Sequence, residues 1–217
     1  MTERGGLFIT FEGMDGCGKT TQMRRFAERL RAAGHRVLET IEPGGTLIGQ
    51  AIRRILLDPA HQELSATAEL LLYFASRAQN VDQQIVPALA RGEIVVCDRF
   101  TDSTLVYQGV GRGLGSEVVL ALDKIACRGL IPHVTIYLDI DMETSLARAK
   151  ARNQAGSANE SRLDDESLDF HRRVREGYRQ LAAREGDRFR VIDGRGSMDN
   201  VADAVWAAVE PHLTAVH

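Results

Sequence analysis

Residues 13–20 read Gly-Met-Asp-Gly-Cys-Gly-Lys-Thr, and the fold is decided there. The octet fits G-x-x-x-x-G-K-[ST], whose glycines let the chain turn so that successive backbone N–H groups point inward at a polyphosphate. A helix opening near Lys19 adds its positive N-terminal end. Lys19 brings a point charge to the β- and γ-phosphates, and the Thr20 hydroxyl is placed to ligate Mg²⁺. The apolar run Leu7–Phe11 precedes the loop as a strand. Met23, Phe26, Ala27, Leu30 and Ala33 follow at helical spacing until Gly34. A merely structural glycine turn would need neither neighbour.

Outward from the octet, four more short apolar runs, Val37–Ile41, Ile94–Cys97, Val134–Leu138 and Phe189–Ile192, alternate with helical segments. Hardly any shows period-two alternation, so the strands are expected to be covered on both faces. The pattern predicts an α/β fold in three α/β/α layers, a five-stranded parallel sheet with right-handed crossovers, in one domain over residues 1–217. Ser65 is expected to cap a long helix running through Ile85, which Pro87 kinks or ends. Ser116 and Asp141 open further helices, and residues 167–183 and 199–210 complete the set. Asn153–Ser161, small and polar among Arg148, Lys150, Arg152 and Arg162, reads as a mobile loop between two helices.

The chain has 217 residues, with 27 Lys+Arg against 30 Asp+Glu. That near balance argues against a nucleic-acid coat or an anionic-membrane binder, so any bound anion needs a local site. Cys17, Cys97 and Cys127 make no Cys-x-x-Cys pair, as expected of reduced thiols in a cytoplasmic protein. The start MTERGGLFITFEG has too short an apolar run for a signal peptide, and nothing approaches the roughly 20 apolar residues of a membrane span. The six histidines show no metal-ligand spacing.

A phosphate-binding loop needs an acid at the end of another strand to organise Mg²⁺, and Asp98 closes the run Ile94–Cys97. Arg99 follows at the carboxyl end of the sheet, where parallel-sheet proteins bind ligands. No Asn-Lys-x-Asp is present to read guanine, which speaks against a GTPase switch, and a nucleic-acid motor would be longer. Arginines in the segment 148–165 suit a lid that gathers charge around a moving phosphoryl group and expels water. These features point to phosphoryl transfer onto a small molecule.

Several segments resemble one family. GMDGCGKTTQ (13–22), EPGGT (42–46), LLLYFASRAQNV (70–81), DRFTDSTLVYQG (98–109) and the basic lid are similar to thymidylate kinases, in that family's order and spacing. The resemblance implies ATP as donor, dTMP as acceptor, Mg²⁺ as cofactor and a homodimer. It implies that Gly13, Met14, Asp15, Gly16, Cys17, Gly18, Lys19, Thr20 and Thr21 surround ATP, with Arg148 meeting it from the lid. Phe74 would stack on thymine and Arg77 donate to its O4; three apart on one predicted helix, they share a face. Arg99 and Arg53 would grip the acceptor phosphate, Asp15 would accept from the 3′-hydroxyl, and Tyr107 would crowd the 2′ position. Ser103, Thr104 and Gln108 would line the base pocket. Lys19, Arg99, Arg152 and Arg162 would carry the catalytic charge, and Thr20 and Asp98 would serve the metal. Gly16 stands where some relatives carry arginine, so the likeness is to the bacterial type with its charge in the lid.

The chain also departs from the pattern. Ile41 stands where many relatives have arginine, Ser161 stands where aspartate is common, and the lid is a few residues longer. Cys17, at a helix N-terminus, is expected to have a lowered pKa and to react with thiol reagents unless ATP protects it. Three alternatives remain. One is a kinase for dUMP, dCMP or UMP; another is a deoxynucleoside kinase, against which Arg53 and Arg99 speak. The third is a nucleotide sensor without transfer, against which Lys19, Thr20, Asp98 and the lid speak.

Overall fold

All five expected strands form. The computed structural model describes residues 5–155 and 162–213; of residues 152–155 it describes the backbone alone. Strand β1 (Leu7–Glu12) leads through the phosphate loop into α1 (Lys19–Ala32), and β2 (Val37–Ile41) is followed by α2 (Leu47–Leu57) and α3 (Ala66–Asn80). A π-helical turn, Val81–Ile85, joins α3 to α4 (Val86–Ala90), and β3 (Ile94–Asp98) comes next. Helix α5 (Thr101–Thr104) runs into a second π-helical segment, Leu105–Gly111, then α6 (Ser116–Ala126) and β4 (Val134–Asp139). The chain closes with α7 (Met142–Ala155), α8 (Leu168–Arg184), β5 (Phe189–Asp193) and α9 (Met198–Leu213).

The strands are all parallel, in the order β2-β3-β1-β4-β5. The chain therefore builds to one side of β1 and then to the other, and a crevice opens beyond the carboxyl ends at that switch. Side chains of β1 alternate between two cores. Leu7, Ile9 and Phe11 pack with Met23, Phe26 and Leu30 of α1 and with Val201, Val205 and Val209 of α9. Phe8 points the other way, into a core with Leu70, Phe74, Phe100, Val106 and Tyr178. Each such side chain contributes about 1.5–3 kcal/mol on burial. Thr10 and Glu12 continue that second face with polar groups that are buried outright.

Two expectations change. Helix α3 stops at Asn80, and the π turn takes up the register, with the Val86 N–H bonded to the Val81 carbonyl. Pro87 thereby falls in the first turn of α4, where a missing N–H costs least. The loop expected from Asn153 starts later, because α7 continues to Ala155; residues 156–161 lie outside the described ones. Ser65 caps α3 as expected, its Oγ accepting from Ala68 N at 3.3 Å, and Asp141 opens α7 with Oδ1 accepting from Thr144 N at 2.8 Å, while Ser116 begins α6 behind Gly115 at the N-cap, with no side-chain cap bond. Among the described residues, no helix is long and apolar enough to cross a membrane.

Candidate active site

The phosphate loop needs its glycines. Gly13, Gly16 and Gly18 have φ of 139°, 81° and 97°, a region closed to most side chains. A Cβ on Gly13 would lie 2.7 Å from the Leu138 carbonyl, and one on Gly16 would collide with the Ser145 carbonyl of α7. An arginine at position 16 therefore has no room here. Lys19 Nζ donates to the Gly13 and Met14 carbonyls, each at 3.0 Å. Thr20 Oγ1 donates to Asp98 Oδ2 at 2.9 Å, joining α1 to the end of β3. A hydroxyl and a carboxylate are the hard oxygen donors Mg²⁺ accepts.

A cavity of about 700 Å³ extends from this loop. Asp15, Gly16, Cys17, Gly18, Lys19, Thr20 and Thr21 line one end, with Arg148 of α7. Asp98, Arg99, Ser103, Thr104, Tyr107 and Gln108 line it after β3, and Arg53 of α2 and Arg77 of α3 close the far side. Arg53 is half-buried while its neighbour Arg54 is exposed. Other predicted residues stand off the wall. Gly13 lies behind the loop, and Met14 packs into the core. Phe74 is buried beneath Arg77, its ring 5.0 Å from the guanidinium, and Tyr73 takes the place on the wall. Arg162 is buried against α2 and α3, donating to the Leu56 carbonyl and, at 2.6 Å, to Glu69 Oε2. The side chain of Arg152 lies outside the described residues.

Arg99 organises the part of the cavity that follows β3. Its φ is 71°, a strained conformation of the kind that clusters at functional sites. Nη2 donates to Asp15 Oδ1 at 2.9 Å and to Tyr107 OH at 3.3 Å; Nη1 donates to Ser103 Oγ at 2.9 Å and to Tyr178 OH at 3.2 Å. Tyr107 OH in turn donates to Asp15 Oδ2 at 3.1 Å. Burial opposes the charge on Arg99, yet Asp15 and the surrounding phenols outweigh it and hold the guanidinium charged.

Arg77 is buried and ion-paired through Nε to Glu42, whose other oxygen accepts from Asn80 Nδ2 at 3.1 Å. Burial pushes the Glu42 carboxyl up, and Arg77 opposes the shift. Arg77 Nη1 has no hydrogen-bond partner among the described residues. A buried donor without an acceptor is costly, so it suits a ligand that brings one. Gln108 spends its amide donor on Glu69 Oε1 at 2.8 Å, which makes it part of the pocket's frame.

Cys17 does not behave as expected. Its thiol is buried in the core beside α1, and that burial pushes its pKa up, with Lys19 opposing only in part. Sequence reading also missed wall residues: Glu42 and Pro43, Tyr73, Leu163 and Asp164, and the group Gly194, Gly196 and Met198. The last group carried a signal. Gly194 and Gly196 lie directly after β5, at the sheet's carboxyl end.

Residues 11–205 match the family model described as Thymidylate kinase. A thymidylate kinase of Solidesulfovibrio magneticus is 51% identical over 205 residues, covering 94% of this chain and 98% of the relative. One from Geobacter sulfurreducens is 53% identical over 201 residues, covering 92% and 94%. The crystal structure of thymidylate kinase from Ehrlichia chaffeensis superposes with a TM-score of 0.77 at 32% identity, covering 95% of this chain and 99% of that one.

Proposed function

The chain belongs to the thymidylate kinase family, which phosphorylates dTMP to dTDP with ATP, and from that premise we propose how its own residues divide the work. Residues 15–18 and Thr21 surround the ATP phosphates, with Lys19 as their point charge and Arg148 meeting ATP from α7. Arg99 and Arg53 hold the acceptor phosphate. Asp15 accepts from the 3′-hydroxyl, and Tyr107 crowds the 2′ position. Arg77 offers Nη1 to thymine O4, backed by Phe74, so the amino group of cytosine would meet a donor there. The acceptor phosphate is already an anionic nucleophile and needs no base. Catalysis is alignment and charge. Thr20 and Asp98 would hold Mg²⁺, which when bound neutralises charge on the transferring phosphates.

Segment 148–165 acts as a lid on a single domain and brings Arg152 and Arg162 to the transition state; Arg162 reaches it by exchanging Glu69 for the phosphates. A homodimer is supported by the exposed apolar side chains Leu47, Ile48 and Ile55 of α2 and Leu71 of α3. A cytoplasmic setting is supported by three free thiols.

The observation that carries the acceptor assignment is that Arg77, which lines the cavity shared with Lys19, has an Nη1 without a hydrogen-bond partner among the described residues. The test is ADP release with ATP and Mg²⁺ across dTMP, dUMP, dCMP and thymidine. Expected are rejection of dCMP by about 10³-fold or more and no turnover of thymidine. A wild-type enzyme that uses dCMP as well as dTMP, or an Arg77→Ala variant with unchanged discrimination, would defeat the assignment.

A further inference from the structure

Glu12 ends β1 immediately before the phosphate loop, is buried outright and is not on the cavity wall. Strand alternation turns it away from α1 and toward α5 and α8. Its Oε1 accepts from the backbone N–H groups of Phe100 at 2.8 Å and Ser103 at 3.3 Å. Its Oε2 accepts from the Ser103 hydroxyl and, at 2.8 Å, from the Tyr178 hydroxyl. These two hydroxyls, 2.8 Å apart, are the pair that receives Arg99 Nη1. A hydroxyl has one hydrogen to give. While both hydrogens point at Glu12, the lone pairs face Arg99. Tyr178 is fully buried and stacked on Tyr137 with ring centroids 5.0 Å apart, so its oxygen cannot drift.

We propose that Glu12 is a positioning residue for the acceptor: through the Ser103 and Tyr178 hydroxyls it fixes the Nη1 edge of Arg99, so that the acceptor phosphate takes over the Nη2 edge from Asp15 and Tyr107 without the guanidinium turning. The inference rests on the assignment of Arg99 to that phosphate. A carboxylate this deep is costly to keep ionised. Burial first, and then Asp102, push its pKa up to about 7, against the pull of Arg99. The titratable and charged groups that face it are Asp102 of α5, which Arg188 clamps with two bonds of 2.7 Å, Arg99 with its partner Asp15, Cys97 of β3 and the phenol of Tyr178 on α8. An apolar residue would pack there at lower cost. What it could not supply is a pair of acceptor sites facing two hydroxyls.

Glu12→Gln separates these functions. The two backbone N–H groups hold the amide oxygen at the Oε1 position, so the NH₂ faces the hydroxyls. Their lone pairs turn to it, and their hydrogens turn toward Arg99. Steady-state kinetics with dTMP and ATP varied separately, on wild type, E12Q, Y178F, the double variant and Arg99→Ala, tests the idea. KM for dTMP should rise about tenfold or more in E12Q and about threefold in Y178F, as expected for losing hydrogen bonds to a charged group. KM for ATP should stay within about twofold, and the double variant should be no worse than E12Q, because both act along one path. An unchanged KM for dTMP in folded E12Q, an ATP KM that rises in step, or strict additivity overturns the proposal. If E12Q fails to fold, Y178F decides alone: a wild-type KM for dTMP overturns it, and a selective rise supports it. Should Arg99→Ala leave the KM for dTMP unchanged, the Arg99 assignment itself is wrong. Should Arg99→Ala raise it while E12Q does not, only the role of Glu12 fails.

Discussion

Replacing Arg77 by methionine should weaken the fold and abolish base discrimination at once, and a second change at Glu42 should repair the first defect without the second. Both members of the Arg77–Glu42 pair are buried. Removing the guanidinium leaves Glu42 with Asn80 Nδ2 as its remaining side-chain donor. Breaking a buried pair in this way costs about 3–5 kcal/mol. Two cation–π contacts are lost as well, to Phe74 at 5.0 Å and Phe100 at 5.1 Å, worth about 0.5–2 kcal/mol each. Against a total stability of about 5–15 kcal/mol, the loss is large but survivable. Adding Glu42→Gln removes the orphan charge and should recover at least about half of it. Urea denaturation measures this, and the dTMP/dCMP ratio of kcat/KM is read in parallel. That ratio should collapse in both variants, since Nη1 is absent from each. The pH dependence has a fixed sign. An orphaned Glu42 has its folded pKa raised further above its unfolded value, so its penalty is present at neutral pH and is relieved as pH falls through the folded pKa. R77M should therefore approach wild-type stability in mild acid. An R77M within about 1 kcal/mol of wild type at pH 7, or an E42Q that recovers nothing, would refute the charged-pair reasoning.

Lys19→Ala should lose turnover by about 10²–10³-fold with little change in thermal midpoint, because among the described residues Lys19 Nζ binds groups of its own loop; activity and circular dichroism together check it. Gly16→Arg should destabilise by about 1–3 kcal/mol, since the new Cβ meets the α7 backbone; a thermal shift assay reports it. Glu12, raised from 4.5 to about 7 in the folded state, binds its proton more tightly folded than unfolded. Stability should fall between about pH 5 and pH 8 by about 3 kcal/mol relative to E12Q, and denaturation of the two proteins across that range tests the slope. Cys17 should resist a thiol reagent in the native protein and react only in urea, because its sulfur is buried and its pKa raised; mass spectrometry of the modified peptide shows which.

The central strands β3, β1 and β4 were legible because burial on both faces leaves mostly apolar residues to read, whereas the edge strands β2 and β5 are not covered on both faces and carry Glu39, Arg190 and an exposed Val191. The strands' last residues were not legible. Glu12, Asp98, Asp139 and Asp193 end hydrophobic runs, yet the ladder continues through them: Asp98 pairs with Phe11 and Ile41, and Asp139 with Asp193. A proline announces a broken helix, but the π turn that accommodates Pro87 leaves no trace in the hydrophobic period. The site divides in the same way. Residues at the carboxyl ends of strands or just beyond the loops that follow them, such as Asp98, Arg99 and Lys19, were readable from position. What stands behind them was not, because each support comes from far along the chain: Glu42 lies 35 residues from Arg77, Tyr178 lies 79 from Arg99, and Glu69 lies 93 from Arg162. No local pattern marks a partner at such distances.

Those supports share one design. Arg77 is held by Glu42, and Arg99 by Asp15 and through two hydroxyls by Glu12. Free arginines on flexible stems would have to be gathered around each substrate as it arrived. Arginines tethered from behind have completed that reorganisation during folding, and stabilisation of developing negative charge depends on such preorganisation. The cost falls on the carboxylates, which burial makes expensive to keep charged. Stability and turnover are then opposed at these acids and not at the arginines alone. A neutral, isosteric replacement of a supporting acid should leave every cation present, and in some cases strengthen the fold, while slowing the reaction. Such a change moves the formal net charge of -3 by at most one unit and makes the site more positive, which on charge alone would favour anionic substrates, so a slower enzyme points to lost orientation.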